Sequence, residues 1–198
     1  MATNELIFRL LALALFGATM GISIFYRHRA EVQGGRQDRA TSRRTLVILR
    51  LSSLIAFAPL VAYIFNPAWV EWARLPLPLW ARWLGFLLAA AVIPGFAWVF
   101  RAIGNNISPV ETTREGHQLV TGGPYRFVRH PLYSLGTVFL MGLTLLTALW
   151  TLPVGLALPY VVLLRRTDRE EANLVAAFGD DYRDYMGRTG RFVPRFNT

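Results

Sequence analysis

Apolar residues fill positions 6–25, 46–65 and 79–100, and short polar stretches separate these runs. Each run has the roughly 20 residues that a helix needs to cross a bilayer. The first is interrupted only by Arg9. Its small residues Ala12, Ala14 and Gly17 give it a weak likeness to a secretory signal. It is long, however, lacks a basic start and is followed by Arg27 and Arg29, so it reads as a retained span. Arg50 lies near one end of the second run, where a long side chain snorkels to the interface. Arg82 stands close to the start of the third, which also contains Pro94. A fourth apolar stretch, 131–164, would extend about 50 Å as one helix, well beyond a hydrocarbon core of about 30 Å. Pro153, Gly155 and Pro159 interrupt its second half. This pattern predicts a tight helix pair turning near residues 150–153, and so about five transmembrane helices in all.

Charge orients the spans. The polar segments 27–45, 101–130 and 165–198 hold 6, 4 and 7 Arg, against one in 66–78. Lys and Arg concentrate in loops that stay cytoplasmic, so the three Arg-rich segments are expected inside and the N-terminus outside. Trp69 and Trp72, in the segment poor in Arg, suit an interfacial belt. A four-span chain, with 131–164 as a single tilted helix, would separate the tail from residues 101–130. The five-span reading keeps both on one side.

Composition narrows the chemistry. The chain has 198 residues, 54% of them hydrophobic and 17% charged, with a mean hydropathy of +0.36. Disorder is excluded by that hydrophobicity. The absence of Cys excludes a disulfide scaffold, Cys-ligated zinc, iron–sulfur clusters and a Cys nucleophile. With three His, a His-rich metal site is not expected either. All 21 basic residues are Arg, which removes Schiff-base and P-loop lysines. A net charge of +9 is better explained by membrane topology than by nucleic acid, so the expected partner is the lipid bilayer. The fold class is all-α, a polytopic helical membrane protein. Residues 1–100 form an N-terminal three-span region. Residues 101–198 form an interfacial loop, a helix pair and a cytoplasmic C-terminal helix.

Two polar segments carry specific chemistry. The first runs over 115–136. Gly122, Gly123 and Pro124 make a turn whose backbone can approach a ligand closely. His117, Tyr125, Arg129, His130 and Tyr133 add polar side chains at the membrane edge. Pro131 is suited to open the next helix, since its missing N–H would be unpaired there. Arg129 and His130 then lie at a helix N-terminus, which favours an anion. The second segment runs over 165–194. On a helix, Arg166 and Glu170 are four apart and face each other, with Glu171 beside them. Gly179 is expected to end that helix. Tyr182 and Tyr185 read as packing residues, and Arg191 and Phe192, before Pro194, as a docking tail.

The order of these motifs resembles the isoprenylcysteine carboxyl methyltransferase family and, more broadly, the integral-membrane phospholipid methyltransferases. The resemblance rests on His117, Leu119, Val120, Gly123, Pro124 and Tyr125. It continues through Arg129, His130, Pro131 and Tyr133, then Arg166, Glu170 and Glu171, and ends with Phe178, Gly179 and Tyr182. It covers roughly residues 101–194. It departs at Ile107, where that family often has Trp. The resemblance implies an enzyme that uses S-adenosylmethionine, bound in a pocket that the C-terminal half forms at the cytoplasmic membrane face. It implies that Arg129 and His130 hold the cofactor's polar end, with His117, Tyr125, Pro131 and Tyr133 lining the site. The backbone at Leu119, Val120 and Gly123 then meets the adenine, and Glu171 the ribose or amino group. Arg166 and Glu170 are the implied catalytic pair, and no metal is implied. The methyl acceptor is a lipophilic or membrane-partitioned small molecule bearing a carboxylate, amine or thiol. The Arg-only basic set points to a bacterial source, hence an inner membrane.

Two other readings compete. A sterol-type membrane reductase resembles the same C-terminal half, but its nicotinamide dinucleotide, NADPH, needs more basic contacts than the four Arg of 101–130 offer. A non-catalytic lipid or small-solute carrier explains the spans and leaves the paired motifs unexplained.

Overall fold

The computed structural model describes residues 2–34, 43–103 and 119–195. The described α-helices are, in order, α1 (Ala2–Gly34), α2 (Arg43–Phe65), α3 (Leu79–Ile103), α4 (Pro131–Thr147), α5 (Thr151–Phe178) and α6 (Asp180–Arg188). 3-10 segments lie at Pro67–Ala73, kinked at Val70, and at Gly123–Arg126. The protein is an all-α polytopic membrane protein. Among the described residues three segments are long and apolar enough to cross a membrane: Asn4–Arg29, Val47–Phe65 and Leu79–Ile103. The stretch 131–164 is indeed a helix pair. It consists of α4, with 17 residues, and the apolar first half of α5. The helices reverse at Ala148–Trp150, just before the expected turn. Pro153 falls in the first turn of α5, where its missing N–H breaks no helical bond. α1 continues past its apolar run to Gly34, since nothing between Tyr26 and Gln33 breaks a helix.

The chain divides into two compact units. The first comprises Met1–Met20, Thr41–Ile93 and Thr137–Val162. Its core gathers Phe8, Ala12 and Leu15 from one face of α1, Leu60 and Tyr63 from α2, Ala89 from α3 and Leu143 and Leu146 from α4. Lipid is as apolar as these side chains, so burial alone drives little helix association there, and close backbone packing matters more. Small residues supply it. A Cβ placed on Gly85 would lie 2.4 Å from the Leu146 nitrogen, and one on Gly142 2.7 Å from the Ala89 nitrogen. α3 and α4 therefore cross backbone to backbone. α2 and α5 do the same where Gly155 meets Ala56. Large apolar side chains on the opposite faces, among them Leu10, Leu13, Leu54, Ile55 and Leu87, are exposed, which suits a lipid surround.

One end of this unit is polar and tightly bonded. Arg82, buried, donates to both carboxylate oxygens of Glu5 at 2.8 and 3.2 Å, to the Tyr63 hydroxyl at 2.7 Å and to the Leu146 carbonyl at 2.9 Å. Its guanidinium also sits 4.0 Å from the Phe8 ring centre. Arg74 donates to Glu5 at 3.0 Å. Arg9 donates to the carbonyls of Ile64 and Phe65, closing the C-terminus of α2. Backbone bonds from Leu75 to Ala148 and from Trp150 to Ala73 join the α2–α3 connection to the α4–α5 turn. The start of α1, that connection and that turn thus share one end.

The second unit comprises Gly21–Ala40, Pro94–Gly136 and Leu163–Thr198. Here Tyr26 stacks on Phe100 with ring centres 5.5 Å apart, and Arg101 donates to the Tyr26 hydroxyl at 3.0 Å. This unit carries most of the residues singled out above.

Candidate functional site

The first segment enters through the Gly-Gly-Pro turn. Gly123 has φ of +61°, and a Cβ there would lie 3.3 Å from the Ala102 Cβ. Both the left-handed backbone and the close approach call for glycine. Tyr125 follows within the 3-10 turn. Its backbone carbonyl accepts the Tyr185 hydroxyl at 2.6 Å, which fastens the turn to α6. Pro131 opens α4, where the Tyr133 and Ser134 amides bond back to the His130 carbonyl at 3.1 and 3.3 Å.

The chain beyond α6 returns along this segment as a strap. Val128 and Gly190 form a parallel bridge. The Arg129 amide donates to the Gly190 carbonyl at 2.8 Å and the His130 amide to the Arg191 carbonyl at 3.0 Å. Ser134 Oγ donates to the Phe192 carbonyl at 2.5 Å. The His130 ring lies against Tyr133, stacked at 5.5 Å, and Phe192, tilted at 5.6 Å.

Glu171 is the meeting point. Arg129 Nε donates to its Oε1 at 2.9 Å, and His130 Nε2 lies 3.0 Å from the same oxygen. Arg191 Nε is 3.5 Å from it. Arg129 Nη1 also donates to the carbonyls of Met186, at 3.2 Å, and Thr189, covering the C-terminal end of α6 where cations are favoured. Burial raises the Glu171 carboxyl pKa. The hydrogen bonds from His130 and Arg129, with the charges of Arg129 and Arg191, outweigh burial and hold it at about 2. Glu171 is therefore a carboxylate at neutral pH. Burial pushes the Tyr125 hydroxyl well above its ordinary range, aided by the nearby Tyr185, Tyr133 and Glu170, so it stays a neutral donor.

Arg166 and Glu170 pair along α5 at 3.3 Å, as their spacing predicts. α5 ends at Phe178, and Gly179, with φ of +57°, turns the chain into α6. Tyr182 and Tyr185 are buried, 2% and 3% exposed, with ring centres 5.7 Å apart. They pack, as expected, although Tyr185 also bonds to the turn.

The structure thus brings Arg129, His130 and Glu171 into contact and places Tyr133 against His130. Arg166 and Glu170 form a second pair on α5, close enough to Tyr133 to act on its hydroxyl. Leu119 and Val120 are half-buried in irregular chain leading into the turn. His117 and Ile107 lie outside the described residues. The position of Arg191 before Pro194 predicts a docking tail, yet its side chain joins this cluster. A lone Arg in a polar tail carries no local signal of its partner. Among the described residues no group of three or more His, Cys, Asp or Glu side chains gathers to hold a metal ion.

A model of the phospholipid methyltransferase family matches residues 80–181. The nickel-cobalt-cadmium resistance protein NccN of Alcaligenes xylosoxydans xylosoxydans is 37% identical over 84 residues, 42% of this chain and 39% of its own length. The protein-S-isoprenylcysteine O-methyltransferase of Schizosaccharomyces pombe is 33% identical over 119 residues, 56% of this chain and 48% of its own length. Its counterpart in Dictyostelium discoideum is 29% identical over 170 residues, 79% of this chain and 67% of its own length. The chain therefore spans less than half of the first two of these relatives.

Proposed function

The chain belongs to the phospholipid methyltransferase family, and on that footing we propose that it is an S-adenosylmethionine-dependent integral-membrane methyltransferase. Its acceptor is a lipophilic or membrane-partitioned small molecule with a carboxylate, amine or thiol. The observation that carries this reading is the convergence of Arg129 and His130 on Glu171, which joins the two polar segments within the stretch that the family model matches. Two relatives bear the name protein-S-isoprenylcysteine O-methyltransferase, which favours oxygen as the methylated atom.

The donor set suits the cofactor. S-adenosylmethionine presents an ammonium, a carboxylate, a ribose diol, an adenine and a sulfonium, and when bound it supplies an electrophilic methyl group. Glu171, ionised at neutral pH, accepts from the ammonium or the ribose. Arg129 and His130 hold Glu171, and the Arg129 guanidinium brings positive charge to the polar end. The faces of His130, Tyr133 and Phe192 offer π-surface to a cation or an adenine. Tyr125, Pro131 and the backbone at Leu119, Val120 and Gly123 are further contacts in this reading, and His117 joins them on the family resemblance alone.

Arg166 orients the acceptor, and its planar fork matches a carboxylate. A carboxylate acceptor is already ionised and needs no base. An amine or thiol must lose a proton, and Glu170 takes it. The remaining work is in-line positioning and exclusion of water. The site lies at the cytoplasmic face of a bacterial inner membrane, with the N-terminus outside, a reading supported by the excess of Arg in segments 27–45, 101–130 and 165–198.

Calorimetric titration of the detergent-purified chain tests the reading, with S-adenosylhomocysteine and NADPH as parallel ligands. Micromolar binding of the first alone, together with transfer of labelled methyl groups to extracted lipids, is expected. Binding of NADPH alone would make the protein a reductase, and binding of neither would favour a carrier.

A further inference from the structure

We propose that Arg191 is a positioning residue of this site, an inference that rests on the methyltransferase reading. It holds Glu171 so that one carboxylate oxygen is engaged within the protein and the other stays available to a donor on the cofactor. Three side chains meet Glu171 at Oε1: Arg129 Nε at 2.9 Å, His130 Nε2 at 3.0 Å and Arg191 Nε at 3.5 Å. Among the described residues, the hydrogen bonds given to Glu171 end on Oε1 and none on Oε2. An ionised carboxylate accepts at both oxygens, so a carboxylate gripped at one oxygen presents the other in a set direction.

Arg191 is itself fixed from two sides. Its backbone carbonyl accepts the His130 amide at 3.0 Å. Its Nη2 donates to Thr167 Oγ1 at 2.8 Å and to Asp168 Oδ1 at 2.6 Å. Thr167 and Asp168 lie one helical turn before Glu171 on α5, and Thr167 is fully buried. Arg191 Nε is buried without a hydrogen-bond partner. At 3.5 Å it acts on Glu171 by charge rather than by a bond. One residue of the strap thus ties the His130 backbone to the α5 turn that carries Glu171. The ligand group that Oε2 would take is a hydroxyl or an ammonium.

The test uses the full chain in detergent, with Arg191→Gln and Arg191→Lys. Affinities are measured for S-adenosylhomocysteine and for 5′-methylthioadenosine, which keeps the ribose and lacks the ammonium. The expected result for Arg191→Gln is binding of S-adenosylhomocysteine weakened about tenfold, the scale of a charge-assisted contact. The thermal midpoint should stay within about 2 °C and the acceptor KM should not change. Arg191→Lys, which keeps the charge, should recover most of the affinity. A matching loss for 5′-methylthioadenosine assigns Oε2 to the ribose, and a loss confined to S-adenosylhomocysteine assigns it to the ammonium. Unchanged affinity in Arg191→Gln overturns the role. So does a lowered thermal midpoint with equal losses for cofactor and acceptor, the mark of a mere brace. Should Arg191→Gln fail to fold, Asp168→Asn loosens Arg191 at an exposed partner, and unchanged affinity there overturns the role equally. If the unmodified protein binds neither ligand, the methyltransferase reading itself falls. Binding that Arg191→Gln leaves intact removes this role alone.

Discussion

The Tyr185 hydroxyl donates to the backbone carbonyl of Tyr125 across 60 positions of sequence, at 2.6 Å. Tyr182, one helical turn earlier, is equally buried and contributes its ring. The two tyrosines should therefore respond differently to loss of the hydroxyl. Tyr185→Phe should cost about 1 kcal/mol of stability, the net worth of a buried hydrogen bond. Tyr182→Phe should stay within about 0.5 kcal/mol. Thermal unfolding in detergent compares them, and a larger loss for Tyr182→Phe would contradict the packing role given to it.

Glu171 confers a pH dependence of known sign. Its pKa falls from the ordinary 4.5 to about 2 on folding. A lowered carboxylate pKa stabilises the folded state fully above the unfolded value, and that contribution is lost as pH falls through the folded value. Stability should drop between about pH 5 and pH 2, and Glu171→Gln should flatten that part of the profile. Parallel profiles for the two proteins would show that Glu171 is not held as described.

Arg82→Met should break the pair with Glu5 and leave a carboxylate with Arg74 as its remaining cationic partner. Removing one partner of a buried ion pair costs about 3–5 kcal/mol, whereas replacing both sides can be near neutral. The double variant Arg82→Met with Glu5→Gln should thus be more stable than Arg82→Met alone. Additive losses in the unfolding cycle would count against the pairing.

Gly85→Ala should be poorly tolerated, since the added Cβ meets backbone atoms of α4 at 2.4 and 2.6 Å. Overpacking of this kind costs about 1–3 kcal/mol. Gly17→Ala has nothing within 4 Å and should be neutral or stabilising by about 0.5–1 kcal/mol. Comparable losses at both sites would remove the α3–α4 crossing as the cause.

On the proposed function, Arg166→Ala should lower kcat at least about tenfold, the loss of one charge-assisted contact, and leave S-adenosylhomocysteine affinity nearly unchanged. Stopped-time methyl-transfer assays beside calorimetry separate the two effects. Equal loss of both would move Arg166 into the cofactor's surroundings.

Local chemistry made much of this legible beforehand. Pro131 and Gly179 mark helix ends because proline lacks an N–H and glycine tolerates positive φ, and both properties act within a few residues. The Arg166–Glu170 pair follows from helical spacing alone. What was hidden depends on distant partners. Nothing near Arg82 announces Glu5, and nothing near Arg191 announces Thr167 or Asp168. The register of the strap against residues 128–134 decides the second case. Pro153 looks like a breaker and draws the expected α4–α5 turn slightly late, although it sits harmlessly in a first helical turn. Ala148, with φ of +58°, occupies a conformation more usual for glycine, so the true reversal carried no turn signal.

The Glu5–Arg82 contact also has a timing. Its two halves are separated by 77 positions, so at about 5–20 residues per second Glu5 is made roughly 4–15 s before Arg82. For that interval the nascent first span carries a carboxylate whose partners are not yet synthesised. A charge unpaired within the bilayer is costly, which keeps the start of α1 near water or headgroups while translation proceeds. The emergence of α3 is then the step that brings Arg82 to Glu5, before α4 adds Leu143 and Leu146 to the same core.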